Sequence, residues 1–250
     1  MKLRLDKLLL ERGLAASRER AQALILAGRV LVNEQKVEKP GISVASDAAI
    51  RMLGEDLRYV SRGGLKLERA LEHWRIELKG KTCLDVGTST GGFTDCMLQN
   101  GAAKVIAVDT GYGQIDARLR QDQRVALLEK TNARYLTPEQ LGRKIDFFAM
   151  DVSFISATLV LPAVVTAIRS HAAGDTGQFN GVVLVKPQFE VGREAIGKGG
   201  IVREEKAQRA ALDKVRDAIS QLGGVDVESI ESPILGAEGN REFLLHSRFI

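Results

Sequence analysis

Residues 82–95 read TCLDVGTSTGGFTD, and this stretch decides the fold. An apolar run ends at Asp85, a turn follows, and a helical pattern begins at Phe93. The turn contains three glycines, Gly87, Gly91 and Gly92. A strand, a glycine-rich turn and a helix start, in this order, let a ligand come close to backbone N–H groups. The stretch therefore predicts the first strand–helix unit of a ligand-binding sheet.

A second acid stands at the distance that such a sheet requires. Asp109 closes the next apolar run, KVIAVD, 22 positions after Gly87. An acid at that offset can hold ribose hydroxyls. Ser89 occupies the second glycine position of G-x-G-x-x-G, and no G-K-[ST] phosphate loop follows. The pattern favours an adenosine ligand without a pyrophosphate, namely S-adenosylmethionine. The alternative, a tight turn that binds nothing, requires three glycines and two strand-end acids to coincide by chance.

Composition and charge are ordinary for a soluble globular protein, with a mild basic bias that suggests, without proving, an anionic partner. Of the 250 residues, 44% are hydrophobic and 27% are charged, and the formal net charge is +4. This length allows one or two domains with a sizeable core. Residues 1–60 hold 11 Lys and Arg against 8 Asp and Glu, so most of the positive excess lies in the N-terminal quarter. A basic bias favours anionic partners.

Cysteine usage and hydropathy favour a cytoplasmic protein. Cys83 and Cys96 are expected to be buried and reduced, because two cysteines make no disulfide framework. The N-terminus, MKLRLDKLLLERG, has no apolar signal core and no cleavage site. The longest apolar stretch, 155–168, has 14 residues, whereas a bilayer helix needs roughly 18. We therefore expect no membrane association.

Residues 1–53 are predicted to form a separate small module. Two helical patterns stop at Gly13 and Gly28, and Ser17 stands at the N-cap of the second. Short strands are predicted at VLVN and over residues 47–52. Arg18 and Arg29 lie on a different side of the second helix from its apolar residues. A solvated helix face would have the same pattern, so the pattern alone leaves both interpretations open.

The first fifth of the chain resembles a known RNA-binding domain. RLDKLLLERGLAASRERAQALILAGRVLVNEQKVEKPG is similar to the small domain first described in ribosomal small-subunit protein four, in its RLD, SR, LI..G.V.VN and KPG elements. The resemblance implies binding of structured RNA through phosphate and shape contacts. The residues expected to contact RNA are Arg4, Arg18, Arg20, Arg29, Lys36 and Arg62.

The rest of the chain is predicted to be an α/β domain with a doubly wound, mostly parallel sheet. The strands read TCLDV, KVIAVD, RVALLE, IDFFAMD and GVVLVKP, with helical stretches between them. A helix over 204–222 is followed by VDVESIE and REFLLHSRFI with no helix between them, so the last strand is predicted to be antiparallel. We expect an RNA-binding domain at 1–60 and a ligand-binding domain at 61–250.

Four charged residues are candidates for chemistry at the carboxyl edge of this sheet, where ligands bind. Asp151 ends IDFFAMD, Lys186 ends GVVLV, and Glu242 opens the final strand. Lys66 lies one position before the apolar stripe Leu67, Ala70, Leu71 and Trp74, which predicts a helix ahead of the first strand. Taken singly, Asp151 could be a turn acid and Lys66 a solvent-facing lysine. Together, two lysines beside two acids can be tuned to take a proton from a hydroxyl.

Nearly end to end, the chain resembles the TlyA family of FtsJ-like methyltransferases. The motifs that carry the resemblance are SRGGLKLERAL, LDVGTSTGGFTD, VDTGYGQ, RLRQDQRV, EKTNARYL, DVSFIS, VKPQFEVG, GGIVR and GAEGNREFLL. The resemblance implies S-adenosylmethionine-dependent ribose 2′-O-methylation of ribosomal RNA, typically at cytidine. The family's Lys-Asp-Lys-Glu tetrad falls on Lys66, Asp151, Lys186 and Glu242. The implied cofactor-binding residues are Asp85, Gly87, Ser89, Thr90, Gly91, Gly92, Phe93, Asp109 and Asn132.

Two alternatives come from other functional classes, a non-catalytic RNA-binding protein and a hemolysin-like, membrane-active protein. The intact tetrad favours an enzyme, and the lack of a signal peptide or membrane-length segment disfavours the hemolysin. No metal is expected, because the three histidines have no partner at ligand spacing. The chain departs from the family at Thr88 and Thr110, where small or apolar residues are more usual, and at the alanine of GAEGN, where proline is common. The segment AAGDTGQFN resembles a surface insertion that could alter RNA contacts.

Overall fold

The computed structural model describes residues 2–15, 17–53, 58–171, 177–236 and 238–250. Most of the insertion at 172–180, and the alanine of GAEGN, lie outside these residues. The chain divides into two compact units, residues 1–57 and 58–250. The division falls three residues before the expected boundary, because Tyr59 is buried in the second unit and its hydroxyl donates to Glu68 Oε1 at 2.9 Å.

The N-terminal unit is a helical hairpin with small antiparallel sheets. Its elements are β1 (Lys2–Arg4), α1 (Leu5–Glu11), α2 (Arg18–Leu26), β2 (Val30–Val32), β3 (Gln35–Lys36), β4 (Ser43–Ala45) and β5 (Ile50–Met52). The Ser17 side chain accepts from Arg20 N at 3.1 Å, so the predicted N-cap is confirmed. β1 pairs with β4, and β2 lies between β3 and β5. Leu5, Leu9 and Ile25 form the centre of its core.

The second unit alternates strands and helices. Its elements are α3 (Gly63–His73), β6 (Thr82–Val86), α4 (Gly92–Gln99), β7 (Lys104–Val108), α5 (Ala117–Gln121), β8 (Val125–Leu128), α6 (Pro138–Leu141), β9 (Phe147–Met150), α7 (Ala157–Arg169), β10 (Phe179–Val185), α8 (Pro187–Glu190), α9 (Glu205–Gln221), β11 (Gly224–Glu231) and β12 (Phe243–Phe249). These elements confirm the predicted α/β class.

One sheet organises this unit, with strand order β11-β12-β10-β9-β6-β7-β8. Five adjacent strands, β10, β9, β6, β7 and β8, run parallel to one another. β12 pairs antiparallel with β10, from Phe179↔Phe249 to Val185↔Phe243, as predicted for the last strand. The chain leaves β6 on one side through β7 and β8 and returns on the other through β9. The carboxyl end of β6 is therefore the switch point where ligands bind in such sheets.

Helices cover both faces of the sheet, so strand side chains alternate between two cores. Phe147 packs in the core that holds α3 and α4, and its neighbour Phe148 packs in the core that holds α7 and α9. This alternation is the two-residue period of a strand that is buried on both faces. Cys83 and Cys96, both expected to be buried, lie in the first of these cores.

Candidate active site

The glycines in the turn after β6 have structural reasons that do not depend on a ligand. Gly87 has φ +88°, and a Cβ there would lie 2.4 Å from the carbonyl oxygen of Asp151. Gly91 has φ +97° and is the N-cap of α4. Ser89 also adopts a left-handed backbone, with φ +50°. Both Gly87 and Gly91 are thus favoured by a left-handed backbone. Gly87 is also required because a side chain there would clash with the backbone that follows β9.

Asp109 lies beside this turn, at the end of β7. Its Oδ2 accepts from Ser89 N and its Oδ1 accepts from Gly111 N, both at 2.7 Å. A carboxylate has about four acceptor sites, so both oxygens keep capacity for a ligand hydroxyl. Asp109 lines a first cavity of about 310 Å³. Gly87, Ser89 and Asn132 line it too.

A second cavity of about 290 Å³ adjoins the first. The two share Gly87, Ser89, Asp151 and Ser153 as lining residues. Thr90, Gly92 and Phe93 line the second cavity, and so do three cations, Arg62, Lys66 and Lys186. The cavity at Asp109 is therefore adjacent to a second cavity whose wall carries three cationic side chains.

The two lysines of the second cavity are each paired with a carboxylate. Lys186 Nζ lies 2.5 Å from Asp151 Oδ1, in an ion pair that is not aligned as a hydrogen bond, and donates to Ser153 Oγ at 2.8 Å. Lys66 Nζ donates to Glu242 Oε2 at 2.5 Å. Lys66 is 8% exposed and Glu242 is 3% exposed. The sequence-predicted tetrad thus forms two ion pairs, and both lysines face one cavity.

Two predicted cofactor residues are absent from the described lining of both cavities, Asp85 and Gly91. Asp85 is fully buried, and its Oδ2 accepts from Thr94 Oγ1 at 2.6 Å. Its Oδ1 has no hydrogen-bond partner among the described residues. Burial raises the pKa of Asp85 to about 7, and the nearby Asp151 carboxylate acts in the same direction. The Asp85 carboxylate is therefore enclosed in the protein, where it contacts Thr94 of α4 and faces neither cavity as described.

Sequence reasoning missed Phe154. This aromatic side chain is 93% exposed, has φ +65° and lines the first cavity. Its ring packs against Phe189 with centroids 5.3 Å apart. A bulky residue in the left-handed region is an outlier that points to function. Phe154 lies in the DVSFIS motif, but an exposed aromatic residue after a strand has no pattern in the sequence that separates it from a loop residue.

The residues expected to bind RNA are held in several different ways. Arg4 and Arg18 both pair with the buried Asp6, at 2.9 and 3.0 Å, and Gln22 donates to the same carboxylate. The Arg4 guanidinium holds the pKa of Asp6 well below its usual range. Further contacts are Lys36 to Glu38 at 2.8 Å and Arg29 Nε to Leu53 O at 2.9 Å. Arg62 belongs to the second unit.

Residues 59–249 match the FtsJ-like methyltransferase family, and residues 3–50 match the S4 domain. The chain belongs to the FtsJ-like methyltransferases. This family accounts for the parallel sheet with its switch point at β6, and the S4 domain is the helical hairpin unit. The predicted family and the predicted N-terminal RNA-binding domain are both confirmed.

Similar proteins span nearly the whole chain. YqxC of Bacillus subtilis is 48% identical over 98% of this FtsJ-like methyltransferase and 85% of that protein. The 16S/23S rRNA (cytidine-2′-O)-methyltransferase TlyA of Mycobacterium tuberculosis is 43% identical over 98% of this chain and 89% of its own length. A solved hemolysin-named protein of Streptococcus thermophilus is 42% identical with a TM-score of 0.75, covering 99% of this chain and 88% of that one. Within the described parts of the chain, no helix is long and apolar enough to cross a membrane.

Proposed function

We propose that this FtsJ-like methyltransferase transfers a methyl group from S-adenosylmethionine to a ribose 2′-hydroxyl of ribosomal RNA, at cytidine. The observation that carries the proposal is the pair of lysine–carboxylate contacts, Lys186–Asp151 and Lys66–Glu242, beside one cavity. The Mycobacterium tuberculosis relative, named for the same reaction at cytidine, supports the substrate.

The first cavity fits the adenosine part of the cofactor. Asp109 offers acceptor sites for two ribose hydroxyls, and Asn132, Gly87 and Ser89 line the surrounding wall. When bound, S-adenosylmethionine supplies an electrophilic methyl group. Thr90, Gly92 and Phe93 of the second cavity would contact the part of the cofactor that faces the RNA. Asp85 and Gly91 would act on the cofactor through the shape of the turn.

The four charged residues would hold the target hydroxyl and its proton. As an ammonium, Lys186 Nζ would orient the 2′-hydroxyl, and only as a neutral amine, after losing a proton, would it receive the hydroxyl proton; Asp151 and Ser153 would hold that nitrogen in place. Lys66 would steady the ribose oxygen, while Glu242 fixes Lys66. General-base assistance contributes roughly 100- to 10,000-fold. Most of the remaining acceleration would come from holding the reacting oxygen in line with the methyl carbon.

The S4 domain would dock the enzyme on folded RNA. Its basic residues would contact phosphates, which position the protein without reading the sequence. A ribosomal substrate would place the protein in the cytoplasm, as expected from the sequence. Neither a metal nor a membrane is part of the proposal.

Lys186→Ala tests the chemistry directly. We expect an intact fold, nearly unchanged cofactor affinity, and a single-turnover rate of methyl transfer to ribosomal RNA lower by roughly 100- to 10,000-fold. Lys186→Arg should not restore the rate, because a guanidinium keeps its proton. Lys104→Ala is the control, since Lys104 begins β7 at the opposite edge of the sheet.

Mass-spectrometric mapping of ribose methylation in ribosomal RNA, with and without the gene, identifies the substrate. A wild-type rate in Lys186→Ala would contradict the mechanism. An unchanged methylation map would contradict the proposed function and favour the non-catalytic RNA-binding alternative.

A further inference from the structure

Two segments at the carboxyl edge of the sheet carry one lysine–carboxylate pair between them. The first, residues 151–157, follows β9 and holds Asp151 and Ser153. The second runs from Lys186 through α8, a single helical turn that ends at Glu190. The first residues of the two segments are in contact, since Lys186 Nζ lies against Asp151 Oδ1 and donates to Ser153 Oγ.

A buried carboxylate, Glu190, connects the last residues of the same two segments. Glu190 Oε1 accepts from Ala157 N at 2.7 Å, and Glu190 Oε2 accepts from Ser156 Oγ at 2.5 Å. Ala157 is the first residue of α7. A negative charge is favourable at a helix N-terminus, where backbone N–H groups lack helical partners. Glu190 thus fixes the point at which the Asp151 segment enters α7.

A third helix holds Glu190 in this position. The side chain of Glu190 is only 2% exposed, and Lys214 of α9 lies 3.2 Å from its Oε2. Lys214 Nζ also donates to the Glu190 carbonyl oxygen at 2.8 Å. A buried carboxylate is costly unless charges and donors satisfy it. The Glu190 carboxylate accepts two hydrogen bonds and pairs with Lys214, yet Glu190 lines neither described cavity.

The two segments also touch in the middle. The Phe154 ring packs on Phe189, which directly precedes Glu190, at 5.3 Å between centroids. Phe154 holds a left-handed backbone that an aromatic residue rarely adopts. Contacts at three places therefore join the two segments, and Glu190 makes the contact that lies away from the cavity.

We infer that Glu190 is a positioning residue for the Lys186–Asp151 pair. One helical turn links Glu190 to Lys186, and the Ser156–Ala157 contact links it to the segment of Asp151. This inference rests on the proposed function, because it assigns Glu190 to the geometry of the proposed proton-handling lysine. Loss of the Glu190 carboxylate would let Lys186 and Asp151 separate while the cofactor cavity at Asp109 stays formed.

Glu190→Ala and the isosteric Glu190→Gln, each in wild-type and Lys186→Met backgrounds, form the test. The measurements are the single-turnover rate of methyl transfer to ribosomal RNA, calorimetric cofactor affinity and the melting temperature. Ser156→Ala removes one of the two hydrogen bonds that the Glu190 carboxylate accepts and leaves the carboxylate in place. Ser247→Ala is the destabilising control, because Ser247 is buried and bonds Val225 O near the other end of β12.

We expect Glu190→Ala to slow transfer roughly 10- to 100-fold, the scale of a small misplacement of reacting groups. Glu190→Gln, which keeps one acceptor, and Ser156→Ala should slow transfer less. Cofactor affinity should stay within about twofold, and the effect of Glu190→Ala should vanish in the Lys186→Met background, because coupled residues are not additive.

Equal losses in both backgrounds, or unchanged rates in the Glu190 variants, would overturn the inference. If Glu190→Ala does not fold, the cycle with Glu190→Gln decides by the same criteria. A wild-type enzyme that methylates no ribosomal RNA would instead refute the proposed function.

Discussion

Both carboxylate oxygens of Asp109 accept a backbone N–H, so this residue shapes the turn as well as facing the first cavity. Asp109→Ala should weaken S-adenosylmethionine binding by about 1.5–3 kcal/mol, the cost of hydrogen bonds to a charged group. Calorimetry measures this change. Asp122→Ala is a matched control, since Asp122 pairs with Arg124 and lines neither cavity as described. Unchanged affinity in Asp109→Ala would remove this residue from the cofactor site.

Asp85 should give the protein a pH-dependent stability. Burial raises its pKa to about 7 from an ordinary value near 3.8, so the folded state binds its proton more tightly than the unfolded chain. Stability from this proton is fully present below pH of about 4 and is lost as the pH rises through about 7. Asp85→Asn keeps an acceptor for Thr94 and cannot ionise.

Thermal unfolding at acidic and mildly alkaline pH measures this contribution. The melting temperature of Asp85→Asn should fall less than that of the wild type between pH about 5 and pH about 8. Asp122→Asn, at a partly buried acid whose pKa is lowered by Arg124, should not reduce the fall. Identical falls in wild type and Asp85→Asn would show that Asp85 is ionised throughout.

At the scale of elements, the α1–α2 hairpin explains why its arginines are held in place. Asp6 is buried, and Arg4 and Arg18 bring their guanidiniums to it from either side while staying nearly half exposed. Both arginines can therefore neutralise Asp6 and still present N–H groups to a phosphate. Replacing them alone would leave a buried carboxylate without its two cationic partners, which destabilises a fold strongly.

The triple variant Arg4→Gln, Arg18→Gln, Asp6→Asn separates RNA contact from stability. Its hairpin should stay folded, its RNA affinity should fall, and the slope of log affinity against log salt should flatten by up to about 0.9 per lost phosphate contact. Titrations of a structured ribosomal RNA fragment at several salt concentrations measure the slope. Arg248→Gln with Asp226→Asn, an exposed pair in the second unit, is the control. An unaltered slope would mean that these arginines only support the hairpin.

On the scale of the whole molecule, sheet order decides which charges meet. Lys66 and Glu242 are 176 positions apart and form a buried hydrogen bond. They meet because β12 inserts antiparallel between β11 and β10, which starts that strand at the carboxyl edge of its parallel neighbour. A parallel β12 would have placed Glu242 at the opposite edge. The antiparallel strand is therefore a requirement of the paired-lysine site.

The strands and their order of appearance could be predicted from the sequence, because buried parallel strands are apolar runs that end in turns. The turn at Gly87, the acid at Asp109 and the antiparallel last strand came from the same reasoning. Asp151 and Lys186 are predicted at one edge because parallel strands bring their carboxyl ends together, and Glu242 is predicted there because the last strand is antiparallel. Residues 2–4, in contrast, form a strand that the sequence analysis did not predict, because only pairing with β4 defines it.

The partners of each charged group were decided by tertiary structure alone. The local sequence pattern could not show that Asp85 is fully buried or that Asp6 forms ion pairs with Arg4 and Arg18. It also could not show that Phe154 is exposed and contacts Phe189. Burial and pairing depend on segments that are distant in sequence, so a residue's own neighbours along the chain carry little information about them. The sequence thus determined the elements, the family and the candidate residues of this protein, and the packing of those elements determined which charges are paired and which face the cavities.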